Sequence, residues 1–230
     1  MSTAIASFDF DKARFNMIEQ QIRPWDVLDL KVLDLLGQVK REQFVPEAYQ
    51  NIALADLEIP LGAAEGQSML APRVEARTLQ DLALQPTDNV LEIGTGSGYM
   101  AALMAQQCAR VLSLEINPAL ASRARENLKN AGISNVDVRE ADATANGFAA
   151  CGVGAPFDAI VLSGSVAEVP PALLDMLKTG GRLFAIVGEA PMMRATLVRR
   201  VGPASFHTEQ PWDVVAPRLQ NFPAAAQFKF

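Results

Sequence analysis

The chain has 230 residues, half of them hydrophobic: long enough for a full core and too apolar for a disordered chain. Twenty basic against 26 acidic residues give a net charge of −6 with no Lys/Arg run, which argues against a nucleic-acid partner. Two cysteines, acids at Asp9 and Asp11 in place of an apolar signal segment, and no stretch of about 18 apolar residues argue against a disulfide framework, a metal site and a membrane span, leaving a cytoplasmic protein as the expectation.

Ser7 to Ile22 has the spacing of an amphipathic helix, with Phe8, Phe15, Ile18 and Ile22 on one face, Ser7 or Asp9 as cap and Pro24 as its stop. Asp29 to Gln38 predicts a second helix that turns inward either Leu30, Leu33 and Leu36 or Val32 and Leu35, with Gly37 as terminator. Val45 to Tyr49 begins a loop-rich passage. Ala55 to Met69, with Pro60, Gly62 and Gly66 and no period, is expected to be irregular, either a lid or a passive wrap over the sheet edge. Pro72 suits the first turn of a helix through Leu84 that buries Val74, Leu79, Leu82 and Ala83.

A regular alternation follows: strand 90–93, helix 99–107, strand 111–115, helix 118–131, strand 136–139. Asn117 caps the second of these helices, Pro118 opens it, Leu120, Ala124, Leu128 and Ala131 form its inner stripe, and Gly132 ends it. Phe157 to Ser163 predicts a fourth strand, Pro171 to Leu177 a helix and Arg182 to Val187 a fifth strand, with Gly180-Gly181 as the turn between the last two. Ala195 to Val201 and Phe206 to Val215 form a closing hairpin about Gly202-Pro203. Ala224 to Ala226 is the one low-complexity stretch. The pattern predicts an α/β fold: a doubly wound, Rossmann-like sheet with an N-terminal helical extension and a C-terminal β-hairpin. Residues 1–71 would cover the site and 72–230 form the ligand-binding part of one compact unit.

The densest signal is Asn89-Val-Leu-Glu-Ile-Gly-Thr-Gly-Ser-Gly-Tyr99, a buried strand leading through a glycine turn into a helix. A dinucleotide fingerprint would place its third glycine where Tyr99 stands, so the nicotinamide reading loses support. Gly94, Thr95, Gly96, Ser97 and Gly98 instead offer close backbone approach and free amide donors at a helix N-terminus, suited to a carboxylate. Glu92 could meet an ammonium or sulfonium. Glu115, with Ile116 beside it, ends the next apolar run where the acidic partner of a ribose diol belongs. Carboxylate, cation and nucleoside together describe S-adenosylmethionine.

Asp142, after the third strand, either accepts from an adenine amine, with the Ala143 N–H meeting a ring nitrogen, or caps its own turn. Ser163, Gly164 and Ser165 leave room at the same edge. Methyl transfer from a sulfonium needs alignment and a dry site, and a carboxylate acceptor with a pKa of about 4 needs no base. The single histidine, His207, in a terminal strand, reads as structural, and the scarcity of bases favours a carboxylate acceptor.

From about Asn16 to Val187 the chain resembles the protein-L-isoaspartate O-methyltransferases. The likeness rests on Met17-Ile-Glu-Gln-Gln-Ile-Arg23, Arg41-Glu-Gln-Phe-Val-Pro46, Ala55-Asp56 with Ile59-Pro-Leu-Gly62, Gly66-Gln67, the glycine turn, Ala155-Pro-Phe-Asp-Ala-Ile160 and Leu177-Lys-Thr-Gly-Gly-Arg-Leu183. The resemblance implies a class I methyltransferase fold, S-adenosylmethionine as donor and esterification of isoaspartyl carboxylates in damaged proteins. It implies that Glu92, Gly94, Gly96, Ser97, Glu115 and Asp142 hold the donor and that Gln67, Leu70 and Ala71 lie near the methyl group; Gln67, Ser68 and Leu70 are the candidate catalytic positions. The family pattern Gly-Gln-Thr-Ile-Ser-(Gln/Ala)-Pro reads here Gly66-Gln-Ser-Met-Leu-Ala-Pro72, so Leu70 takes the place of the serine that faces the transfer site. Val214-Val-Ala-Pro-Arg-Leu219 departs from the usual Phe-Val-Pro-Leu and, like Leu70, bears on the acceptor. Leu70 leaves open a different acceptor within the same family, or a silent donor-binding protein.

Overall fold

The computed structural model describes residues 8–62 and 66–224; Ser7 as a cap, 63–65 of the predicted irregular stretch and 225–226 of the alanine run lie outside the described residues. Helix α1, Phe10–Asn16, starts at Asp9, whose carboxylate accepts from the Lys12 N–H. It runs on through a π-helical turn, Met17–Ile22, into a 3-10 turn, Arg23–Trp25. Pro24 therefore does not end the helix before itself. It opens a tighter turn whose first positions need no donor, and Asp26, left-handed at φ 60°, ends the run. Helix α2, Leu30–Gln38, is capped by Asp29 and buries Val32, Leu33, Leu35 and Leu36 together. Both predicted faces are used, except that Leu30 is exposed; Gly37 lies inside the helix and Val39 follows it.

The stretch expected to be irregular contains a minimal antiparallel pair, β1 Ile59–Pro60 with β2 Ser68–Met69, closed by the Leu61 N–H donating to the Gln67 carbonyl. Helix α3, Pro72–Leu82, stops short of the predicted end, because Ala83 turns left-handed at φ 46° and faces solvent. Ala83 is thus not part of the buried side.

Seven strands form the main sheet: β3 Asn89–Ile93, β4 Arg110–Glu115, β5 Val136–Glu140, β6 Phe157–Val166, β7 Leu177–Glu189, β8 Met192–Gly202 and β9 Ser205–Asp213. Their order is β5-β4-β3-β6-β7-β8-β9; the first five are parallel and the last two run antiparallel as the hairpin. Helices α4 Tyr99–Ala105, α5 Pro118–Asn130, α6 Ala145–Phe148 and α7 Pro171–Asp175 make the crossovers. Gly180-Gly181 is not a turn: it sits within a long β7, in a bulge between the Phe157–Leu177 and Ala159–Arg182 pairs.

Alternation along β3 sends Val90 to one face and Leu91 and Ile93 to the other. The first face packs with α3, α4, α5 and the N-terminal segment, where Met17, Leu36 and Phe44 join Tyr99 and Phe184 in one core. The second packs Leu112, Phe157 and Leu183 against Leu173 of α7 and Phe222. Strand order reverses at β3, between β4 and β6, so the crevice beyond their carboxyl ends is the natural ligand site.

One buried ion pair ties this frame together. Arg182 of β7 donates to Asp88 at 2.7 Å and to the carbonyls of Leu82, Ala83 and Asp158. Arg182→Leu leaves Asp88 buried and unpaired and is expected to cost about 3 kcal/mol in urea denaturation; a loss under about 1 kcal/mol would contradict this role.

Candidate active site

The turn after β3 takes positive φ at Gly94, Gly96 and Gly98. At Gly98 an added Cβ would lie 3.3 Å from the Ala124 Cβ, so this glycine lets α4 approach α5 closely. The amides are less free than the sequence suggested. Gly94 and Thr95 N–H donate to the Leu114 carbonyl, Gly96 N–H to Glu115 and Gly98 N–H to the Thr95 carbonyl. The turn folds back on the end of β4, which takes the Gly94, Thr95 and Gly96 donors, and α4 behind it spans only Tyr99–Ala105.

Glu115 is held at the cleft by two backbone donors, Gly96 N–H at 2.8 Å and Asn117 N–H at 3.0 Å, one to each oxygen. A carboxylate has about four lone-pair sites, so both oxygens can accept again. Glu92 is fully buried, accepting from Ser113 Oγ at 2.6 Å and Ser163 Oγ at 2.8 Å, with Thr95 Oγ1 on the far side of Ser113. Burial pushes Glu92 up to about 7, against those two hydroxyls, and the nearby Glu115 charge adds to the rise. Asp142 accepts from the Thr144 N–H and Oγ1 on one oxygen and from Asn221 Nδ2 on the other. Desolvation opposes its charge, but these bonds outweigh it and hold Asp142 below the usual carboxylate range. It therefore caps its own turn and lines the cleft at once.

The cleft has a volume of about 90 Å³ and is partly open to solvent. Gln67, Ser68, Gly94, Gly96, Glu115, Ile116, Asp142 and Ala143 meet there. Leu70, Thr95 and Ser97 line a smaller adjoining cavity that shares Leu61, Ser68, Gly94, Gly96 and Ser163 with the cleft. Glu92 and Gly98 border neither space. His207 lies exposed on β9 beside Glu209, away from both.

Sequence reasoning tied Val214–Leu219 to the acceptor alone; the structure makes Arg218 and Leu219, with Gln220 and Phe222, the far wall of the cleft that Glu115 and Asp142 line. This tail is pinned to β6: Ser165 N–H donates to the Pro217 carbonyl, Leu219 N–H to the Ser165 carbonyl, and Ser165 Oγ to the Ala216 carbonyl. A Cβ on Gly94 would sit 2.8 Å from Leu219 Cδ2. Of the segment 214–219, Arg218 and Leu219 border the cleft, and none of its residues lines the smaller cavity beside Leu70.

One omission is Glu75. On α3 it faces inward, 4% exposed, and lines the smaller cavity with Leu70. Its Oε2 has no hydrogen-bond partner, the Arg41 Nε being 3.7 Å away. Arg41, also buried, spends its other nitrogens on the carbonyls of Ala53 and Leu70. The available signal was an acid on an otherwise apolar helix face, between Val74 and Leu79.

Residues 12–215 match the family model of protein-L-isoaspartate(D-aspartate) O-methyltransferase. The chain belongs to that family. It is 42% identical to a protein-L-isoaspartate O-methyltransferase of Methanoculleus marisnigri over 77% of this chain and 78% of that one. With protein-L-isoaspartate O-methyltransferase 1 of Syntrophobacter fumaroxidans it shares 39% identity over 87% of this chain and 91% of that one. A Plasmodium falciparum structure described as a protein-L-isoaspartate O-methyltransferase in complex with S-adenosyl-L-homocysteine superposes with a TM-score of 0.74. That match covers 91% of this chain and 98% of the other at 22% identity and shows the shared fold. The mixed sheet, N-terminal helices and terminal antiparallel strands expected from the sequence are the architecture of this family of S-adenosylmethionine-dependent methyltransferases. Among the described residues no helix is long and apolar enough to cross a membrane.

Proposed function

We propose that the chain is an S-adenosylmethionine-dependent O-methyltransferase that esterifies the carboxylate of isoaspartyl residues in damaged cytoplasmic proteins, a repair reaction. The observation that carries this reading is the Glu115 carboxylate, fixed by two backbone amides at the reversal point of the sheet and facing the cleft that Asp142 borders. The residues fit the donor. Glu115 suits a ribose diol, Asp142 with the Ala143 N–H suits an adenine edge, and Gly94 and Gly96 allow close approach; Glu92, buried behind them, does not reach the cleft and holds Ser113 and Ser163 in place instead. When bound, S-adenosylmethionine supplies an electrophilic methyl group on a sulfonium.

The chain's own part is to orient and to exclude water. Leu61, Leu219 and Phe222 dry the cleft, and Gln67, Ser68 and Leu70 stand on the acceptor side. A carboxylate acceptor is ionised at neutral pH, so no residue need take a proton. In this reading residues 1–71 form the cover and 72–230 the donor-binding unit. Two free, buried cysteines whose thiols burial pushes up to about 12 suit a reducing compartment.

The test is transfer of labelled methyl from S-adenosylmethionine to an isoaspartyl peptide. A base-labile methyl ester is expected on the isoaspartyl peptide and not on its aspartyl counterpart, and absence of the ester would refute the reading. Leu70→Ser returns a hydroxyl to the acceptor side and is expected to raise kcat/KM for that peptide about tenfold, as for one hydrogen bond to a charged group.

A further inference from the structure

The cavity beside the glycine turn is small, about 30 Å³, adjoins the cleft and is lined by Leu70, Met100, Thr95, Ser97, Ser163 and Glu75. Leu70, at the position of the family serine, can neither donate nor accept through its side chain. Glu75 is buried on the same cavity with an unpartnered Oε2. We infer that Glu75 is an acceptor-orienting residue whose carboxyl donates to the acceptor carboxylate the hydrogen bond that Leu70 cannot make. This rests on the isoaspartyl reading above.

The sign of the interaction depends on one proton. An ionised Glu75 would repel a carboxylate, whereas a protonated Glu75 donates to it. The groups around it are the Arg41 guanidinium from the 3-10 turn Arg41–Gln43, Glu92 from β3 and the Tyr99 phenol from α4. Burial pushes Glu75 up to about 8; Arg41 opposes the rise and Glu92 reinforces it. The donor form therefore prevails at neutral pH.

Methylation of an isoaspartyl peptide from pH 6 to pH 9 tests this, because the peptide carboxylate does not titrate in that range. The wild-type KM for peptide is expected to rise by up to about tenfold between pH 7 and pH 9, with a smaller change in kcat. Glu75→Leu raises KM about tenfold at pH 7 and flattens the profile. Glu75→Gln keeps an N–H donor without the titration, so its KM stays near the wild-type pH 7 value and is flat to pH 9. S-adenosylhomocysteine affinity, measured by calorimetry, reports folding and stays within about threefold in both variants. A wild-type KM that does not change with pH, or Glu75→Leu kinetics equal to wild type, overturns the assignment while leaving the isoaspartyl reading intact. A rate that climbs through pH 8 and is lost in Glu75→Gln overturns it in favour of a base for a protonated acceptor. No methylation by the wild-type protein overturns both.

Discussion

Glu115→Lys is expected to abolish S-adenosylhomocysteine binding at concentrations that saturate the wild-type protein, a loss of more than about a hundredfold by calorimetry. The wild-type carboxylate faces the cleft with two accepting oxygens already oriented by Gly96 and Asn117. Two hydrogen bonds from a ligand diol to a charged acceptor are together worth about 3–6 kcal/mol. Lysine removes both and offers donors where the ligand also donates. It also strands the Gly96 and Asn117 amides, so Glu115→Gln serves as companion: it keeps an acceptor oxygen and is expected to lose only about tenfold to a hundredfold. Matching urea midpoints for wild type and Glu115→Gln would place its loss in the cleft rather than in folding. Wild-type affinity in Glu115→Lys would remove the ground for placing a nucleoside here.

The second large effect is on stability. Glu75 and Glu92 titrate near 8 and 7 in the folded protein, against 4.5 for an unperturbed glutamate. The folded state thus keeps two protons that the unfolded chain releases above about pH 4.5. Stability from these groups is fully present below that point and falls as pH rises through 7 and 8. Asp142 and Asp158, whose carboxyls are held low, lose stability only at acid pH and leave this window untouched. Unfolding free energy is expected to drop by about 2–4 kcal/mol between pH 5 and pH 8. Urea titrations across that range check the slope. The double variant Glu75→Gln/Glu92→Gln should flatten it, and a stability that climbs from pH 5 to pH 8 would contradict the account.

The parts of this molecule that the sequence discloses are those whose cause is local. The strand-turn-helix at Asn89–Ala105 and the capped helix after Asn117 carry their own periodicity, cap and terminator, and they stand where expected to within a residue or two. Glu115 and Asp142 follow because each ends a legible strand. What escaped has causes distant in the chain. Ala83 turns outward where α3 ends and Arg182, nearly a hundred residues later, binds its carbonyl. Gly180-Gly181 looked like a turn because nothing local reveals that β6 continues beside it. The tail from Ala216 to Phe222 has no period at all, and it becomes a wall only through Ser165, Asp142 and Phe148. Glu75 was hidden for the opposite reason: the apolar stripe around it was so regular that one acid within it read as noise.

That unpatterned ribbon also closes one side of the cleft through three separate contacts. Leu219 leans over Gly94 and Gly164, Asn221 grips Asp142, and Phe222 meets Phe148 edge-on at 5.7 Å, all within the short run 219–222. Leu219→Ala or Asn221→Ala therefore loosens one wall of the cleft, and each is expected to weaken nucleoside binding, read by calorimetry, while the glycine turn stays in place.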